Sequence, residues 1–140
     1  MMAEEPAGPD LVALTRELAE AQGVDATMRF FGGEPVYDMS MMGLSVFEGT
    51  TAVRSFVADW YRSYGQADDD LYEIVDVGNG VVFAAVRETA RPAGSPAHAE
   101  VHADYGLVVV WKDGKATRVT PYPDVDEARA AADRLAQERG

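Results

Sequence analysis

The sequence predicts an α+β fold, in which a curved antiparallel sheet wraps around N-terminal helices to form a cone and one C-terminal helix follows. Three observations predict it. From Leu71 to Tyr122 the chain reads as four successive strands joined by tight turns. The segments before them carry apolar residues at helical spacing, and an alanine-rich helical segment comes after them. Helices first and an antiparallel meander second require a sheet folded over those helices, with a pocket between the layers.

Met1 to Pro9 is a short polar leader, expected to fray, ahead of a single domain from residue 10 to 140. Asp10 is placed as the N-cap of a first helix bearing Leu11, Leu14, Leu18 and Ala21, and Gly23 ends it. A second, short helix puts Val24, Met28 and Phe31 on one face and stops at Gly32-Gly33. Glu34 to Met39, with the β-formers Val36 and Tyr37, is expected as a brief strand.

The third helix has the strongest pattern. Gly49-Thr50-Thr51 offers a cap, Val53, Phe56, Val57, Trp60, Tyr61 and Tyr64 recur on one face, and Gly65 closes it. It should be the main packing element against the sheet, each large buried side chain contributing roughly 1.5–3 kcal/mol. The run Asp68-Asp69-Asp70 is expected as a solvated turn, since no glycine-bearing loop or terminal glutamate completes a calcium pattern.

The meander then follows. Its segments are Leu71–Val77, a hairpin turn at Gly78-Asn79-Gly80, Val81–Arg91, a loop through Pro92-Ala93-Gly94-Ser95-Pro96, Ala97–Trp111, a turn at Lys112-Asp113-Gly114-Lys115, and Ala116–Tyr122. Pro121 and Pro123 imply that the last strand is not hydrogen-bonded on both sides near its end. Asp124 or Asp126 caps the final helix, whose apolar face is Val125, Ala128, Ala132 and Leu135.

On the third meander strand, Glu100, His102 and Asp104 point one way, and Val101, Ala103, Tyr105 and Leu107 the other. Every residue from Leu107 to Trp111 is apolar, so that segment is covered on both faces, as a cone or a dimer sheet would produce. Gly106, at the transition, is read as a bend or bulge.

Composition excludes several functions. A chain of 140 residues can bury roughly two-thirds of its unfolded surface without staples. No cysteine is present, which removes disulfides, a thiol nucleophile and cysteine-ligated metal. A net charge of −12 opposes binding to nucleic acid or to anionic membranes. With no long apolar run and an acidic start, the expectation is a soluble cytoplasmic protein.

The stretches GVDATMRFF and PVYDMS, then FEGTTAVRSFVADWY, then VGNGVVFAAVRE, and finally WKDGKATRVTPYPDVDEA with the alanine-rich helix, resemble the nuclear transport factor 2-like superfamily and its SnoaL-like group. The resemblance runs from about Leu11 onward. It implies a cystatin-like roll and a cavity for a small hydrophobic or aromatic molecule. The superfamily spans ketosteroid isomerases, polyketide cyclases, epoxide hydrolases and dehydratases, together with non-catalytic binding and accessory proteins, so fold alone does not choose. The expected assembly is a homodimer.

Within that resemblance, Asp38 falls where ketosteroid isomerases carry a general-base aspartate. Met39, Met41, Met42, Leu44, Val46 and Phe47 would supply the apolar setting that lifts a carboxyl toward working pH. The competing reading of Asp38 is a loop cap. Tyr105 and Tyr122 are the candidate donors to a developing oxyanion, and Met42, Phe56, Trp60 and Tyr61 the candidate substrate-binding side chains. The first helix has no tyrosine, and Leu107 stands where those isomerases have an acid, so the steroid reaction itself is not expected. No Arg-x-Asp occurs in the meander, which removes the epoxide-hydrolase arrangement.

The remaining polar groups have mostly structural readings. Arg87 and Glu88 face opposite sides of one strand, so that one of them could enter the cavity, with an exposed cross-strand pair as the alternative. His98 and His102 would lie roughly 13 Å apart on a strand, too far to ligate one metal. His102 with Asp104 is a further proton-transfer candidate. Arg118 and Thr120 share a face with Tyr122 and would suit an acidic ligand group or a solvated edge. Neither a cofactor nor a metal is expected. The choice is between cofactor-free acid–base chemistry (isomerisation, cyclisation or dehydration) and a non-catalytic ligand-binding or dimeric accessory protein.

Overall fold

The computed structural model describes residues 9–92 and 101–140. In chain order the elements are α1 (Leu11–Glu20), α2 (Val24–Met28), β1 (Phe31–Asp38), β2 (Val46–Glu48), α3 (Thr50–Ser63), β3 (Tyr64–Gly78), β4 (Val81–Pro92), β5 (Val101–Lys112), β6 (Lys115–Tyr122) and α4 (Val125–Arg139). A single 3-10 turn, Ser40–Met42, lies between β1 and β2. The leader up to residue 8, the loop through Pro96, and His98 with Glu100 lie outside the described residues.

The strands form one sheet in the order β2-β1-β6-β5-β4-β3. Neighbours are antiparallel except β1 and β6, which run parallel. The sheet is curved and unclosed, the α+β cone expected from the sequence.

Two tight turns set the meander's register. Asn79 and Gly80 both have positive φ (57° and 81°), as do Asp113 and Gly114 (52° and 78°). Two such residues in succession make the hairpin turn whose twist matches the strands. Beyond Val119, β6 is paired only with β5, so the missing N–H of Pro121 interrupts no ladder to β1.

Alternation on β4 and β5 sorts side chains into two cores. Val82, Ala84, Val86, Leu107, Val109 and Trp111 face Val53 and Val57 of α3 and, further along, the helices of the N-terminal half. Val81, Phe83, Ala85, Val108 and Val110 face Ala128, Ala131, Ala132 and Ala136 of α4. The double burial of Leu107–Trp111 therefore arises within one chain, where α4 supplies the second cover. Trp111 also donates its indole N–H to Thr15 Oγ1 at 3.0 Å, a buried bond that ties α1 to the sheet. Asp124, and not Asp126, caps α4, accepting from the amides of Asp126 and Glu127 at 2.8 and 3.1 Å.

Several boundaries differ from the sequence reading. Phe31 opens β1 and does not extend the second helix, and Gly33, at φ 68°, lies where the β1–β6 register shifts. The triplet Asp68-Asp69-Asp70 is not a turn. It belongs to β3, which starts seven residues before Leu71 and pairs with β4 along its length. Asp is a poor strand former in isolation, and long-range pairing overrides that preference. Gly106 is no bulge either, because the β4–β5 register is continuous there. A Cβ on Gly106 would stand 2.2 Å from the Cβ of Ala128, so the glycine is what lets α4 lie close on the sheet.

Candidate functional site

The sheet and the helices of the N-terminal half enclose a cavity of about 450 Å³. Phe31 and Tyr37 from β1, Phe56, Trp60 and Tyr61 from α3, Leu71 and Val86 from the sheet and Tyr105 from β5 make up much of its wall. Met39 and Met42 line it beside the 3-10 turn. Aromatic packing fixes part of this wall: the Tyr37 and Phe56 rings are 4.8 Å apart, and Phe47 stacks on Phe56 at 4.7 Å. The Tyr61 hydroxyl donates to the carbonyl of Ala21 and lies 3.0 Å from Thr27 Oγ1, which anchors α3 to α2.

Of the side chains singled out in the sequence, Met42, Phe56, Trp60, Tyr61 and Tyr105 line this cavity. Asp38 and Tyr122 do not. Both border a smaller cleft of about 240 Å³ together with Arg118, Thr120 and Arg134. Strand alternation is the reason: Tyr37 on β1 and Val119 and Pro121 on β6 face the cavity, which turns Asp38, Thr120 and Tyr122 the other way.

Asp38 is buried and bound as a carboxylate. It accepts from the amide and hydroxyl of Ser40 at 2.9 and 2.6 Å and from Arg118 at 2.6 Å. Burial alone would raise its pKa, but the Ser40 hydroxyl and amide and the Arg118 guanidinium together hold it below the ordinary value. A general base in an apolar cavity needs the opposite shift. The carboxylate's position fits the loop-cap reading.

Two other acids occupy the cavity wall. Asp69 of β3 and Glu88 of β4 are register partners across the ladder, and both line the cavity. Burial, followed by the charge of Asp69 and the hydrogen bond to it, pushes Glu88 up to about 8. Burial also raises Asp69, and the neighbouring charge of Asp68 adds to the rise, while the bond with Glu88 offsets only part of it. Asp69 Oδ1 is buried with no amide, hydroxyl or guanidinium donor among the described residues, and a proton shared with Glu88 is the donor that fits. Burial thus favours retention of a proton between the two carboxyls, which titrate as a coupled pair above the ordinary carboxylate range.

Tyr37 and Tyr105 flank the pair electrostatically. Burial first, and the charge of Asp69 second, raise both phenols, so each stays a protonated O–H at neutral pH. On the opposite strand face, Arg87 bonds Asp104 at 3.0 Å and lies over the Tyr72 ring, while Thr89 bonds His102. Of the adjacent Arg87 and Glu88, it is the acid that enters the cavity.

Sequence reasoning missed Asp69 and Tyr37, and left Glu88 as one of two residues that could enter the cavity. A signal existed for Glu88, since Val82, Ala84, Val86 and Glu88 form one period-two series on the buried face. Asp69 shares a face with Leu71 in the same way, but only once the acidic run is recognised as strand.

Among the described residues no group of three or more His, Cys, Asp or Glu side chains could hold a metal, and no helix is long and apolar enough to cross a membrane. No protein-family model matches the sequence, and no curated protein matches it. Solved structures do. A SnoaL-like polyketide cyclase from Jannaschia aligns over 95% of this chain and 98% of its own, with a TM-score of 0.70 at 14% identity. An NTF2-like protein of unknown function from Burkholderia pseudomallei aligns over 86% and 95%, with a TM-score of 0.66 at 14% identity. An LEH-like epoxide hydrolase from M. tuberculosis aligns over 88% and 89%, with a TM-score of 0.63 at 16% identity. Likeness over nearly the whole of each partner, with the helices, meander and cavity described above, shows that this chain has the nuclear transport factor 2-like fold seen in SnoaL-like proteins.

Proposed function

We propose that this chain binds a small, mainly apolar or aromatic molecule in its cavity and moves a proton on it through Asp69 and Glu88, without a cofactor. The observation that carries the reading is the pair itself: two carboxyls that face each other across the ladder, both raised by burial, in a mainly apolar and aromatic wall. One member can give a proton while the other, as carboxylate, takes one, which is what isomerisation, cyclisation or dehydration beside a carbonyl requires. Tyr105, the donor proposed from sequence, keeps that role and is joined by Tyr37. The base role passes from Asp38 to the pair, and Tyr122, outside the cavity, is given none. The setting we propose is a cytoplasmic homodimer. The exposed apolar side chains Met41, Leu44 and Val46 are the surface a second copy would cover, and sedimentation velocity with Leu44→Glu tests it.

The test needs no known substrate. Small cyclic and aryl ketones are incubated with protein in deuterated water, and exchange at the carbonyl-adjacent carbon is followed by NMR. Wild type accelerates exchange, and Glu88→Gln or Asp69→Asn lowers the rate by about 10²–10⁴-fold. Ketones that bind without exchange would favour the non-catalytic binding protein, and undiminished exchange in both variants would reject the pair.

A further inference from the structure

The charge inventory of the cavity selects its occupant. Among the described residues that line it, the charged side chains are Asp69, Glu88 and Asp104, and no lysine, arginine or histidine is present. Asp104 is already paired with Arg87 on the outer strand face. Arg118 is held by Asp38 at the smaller cleft, on the opposite face of the sheet. Among the described residues that line the cavity, the pair's negative charge therefore meets no cationic side chain, inside a chain whose net charge of −12 deepens the local potential. Around it stand Tyr37, Phe56, Trp60, Tyr61 and Tyr105, aromatic walls of the kind that attract an organic cation.

An anionic ligand would add like charge to this enclosure. A neutral one would leave the carboxylate uncompensated. We propose that the cavity selects an organic ammonium on a small apolar or aromatic frame, whose charge takes the place of the proton held between Asp69 and Glu88. This deepens the preceding reading, since it rests on the cavity's being a small-molecule site and adds the charge class of the molecule. No bond to the ligand is made: the cation enters, the carboxyl O–H gives its proton to solvent, and the doubly ionised pair then acts as the base, with the protonated Tyr37 and Tyr105 as the donors.

The proton release gives the proposal a signature. The charged and titratable groups that act on the pair are Tyr37 from β1, Asp68 from β3 and Tyr105 from β5; Tyr61 of α3 lines the same cavity, and Asp104 of β5 is ion-paired with Arg87 on the outer strand face. The two raised phenols stay neutral through the relevant range, so the pair itself titrates there. Cation binding favours the doubly ionised pair. Below the value of about 8 that burial gives Glu88, binding must expel a proton, and affinity rises with pH by up to about tenfold per unit before levelling off.

Benzyltrimethylammonium carries a fixed charge and is the probe, with neopentylbenzene as its uncharged isostere and benzoate as an anion of similar frame. Calorimetry in buffers of different ionisation heat reads affinity and protons released between about pH 6 and about pH 9. The expected result is cation binding at least about tenfold tighter than the isostere, no benzoate binding, and release of up to one proton below about pH 8. Glu88→Gln then removes the pH slope, and Asp69→Asn does the same should the glutamine variant fail to fold. Equal binding of the isostere and the cation by wild type overturns the charge selection and leaves the cavity reading intact. If none of the three probes binds, the cavity reading fails, and the charge selection fails with it.

Discussion

Asp69 and Glu88 face each other across the β3–β4 ladder, on the strand surface that looks into the cavity. Both are raised by burial, so the folded chain holds a proton that the unfolded chain has released between the ordinary glutamate value of 4.5 and about 8. The folded state binds more protons in that window, and stability therefore falls as pH rises through it and flattens above. Glu88→Gln should match wild type at about pH 5 and exceed it by about 2 kcal/mol at about pH 8, with screening in the solvent-open cavity taken into account. Urea unfolding at the two pH values checks this. A difference that does not change with pH would show that the pair holds no extra proton.

Asp38 gives the opposite sign. Its carboxylate is stabilised by the Ser40 hydroxyl and amide and by Arg118 against the cost of burial, so its contribution is present above the ordinary value of 3.8 and is lost as pH falls through the lower folded value. Asp38→Asn should cost about 1–3 kcal/mol at neutral pH and leave ketone exchange unchanged. A folded Asp38→Asn protein that has lost exchange would return the base role to this residue.

Tyr105 and Tyr122 separate by the face they occupy. Tyr105→Phe should slow exchange by about 10²–10³-fold with little change in ketone affinity, because the phenol acts on charge that develops during the reaction. Tyr122→Phe, bordering the outer cleft, should leave the rate at its wild-type value. Equal losses at both positions would mean that the cavity wall is not what distinguishes them.

Gly106 admits α4 to the sheet. Gly106→Ala places a methyl against Ala128 and should destabilise the protein by about 1–3 kcal/mol. Ala128→Gly costs about 1 kcal/mol by itself through helix propensity. Combined, the two should cost less than their sum, since the second change removes the clash made by the first. Thermal unfolding of the four proteins gives the coupling, and strict additivity would place the strain elsewhere.

Local chemistry made the architecture readable from sequence. Asn79-Gly80 and Asp113-Gly114 could only be turns, and the apolar run Leu107–Trp111 could only be a strand covered twice. The site was less readable because it depends on parity. One residue separates Tyr37, inside, from Asp38, outside, and nothing in a short strand with a shifted register announces which way it faces. Asp69 was hidden for another reason. An acidic triplet signals solvent locally, and only pairing with a distant strand makes it a wall. Cavity-lining Phe56, Trp60 and Tyr61 were legible because helical periodicity fixes a face over several turns.

The parallel ladder between β1 and β6 has a consequence for how the chain is made. Residues 31–38 leave the ribosome early, yet apart from the three residues of β2 their strand partner is residues 115–122. During translation the β1–β2 hairpin has no further ladder to join until residues 115–122 have emerged. β6 is then inserted between that hairpin and the rest of the meander. A nascent chain halted before Lys115 would hold two sheet fragments with no seam between them, and the lining that Tyr37 provides would be added only once β6 has paired.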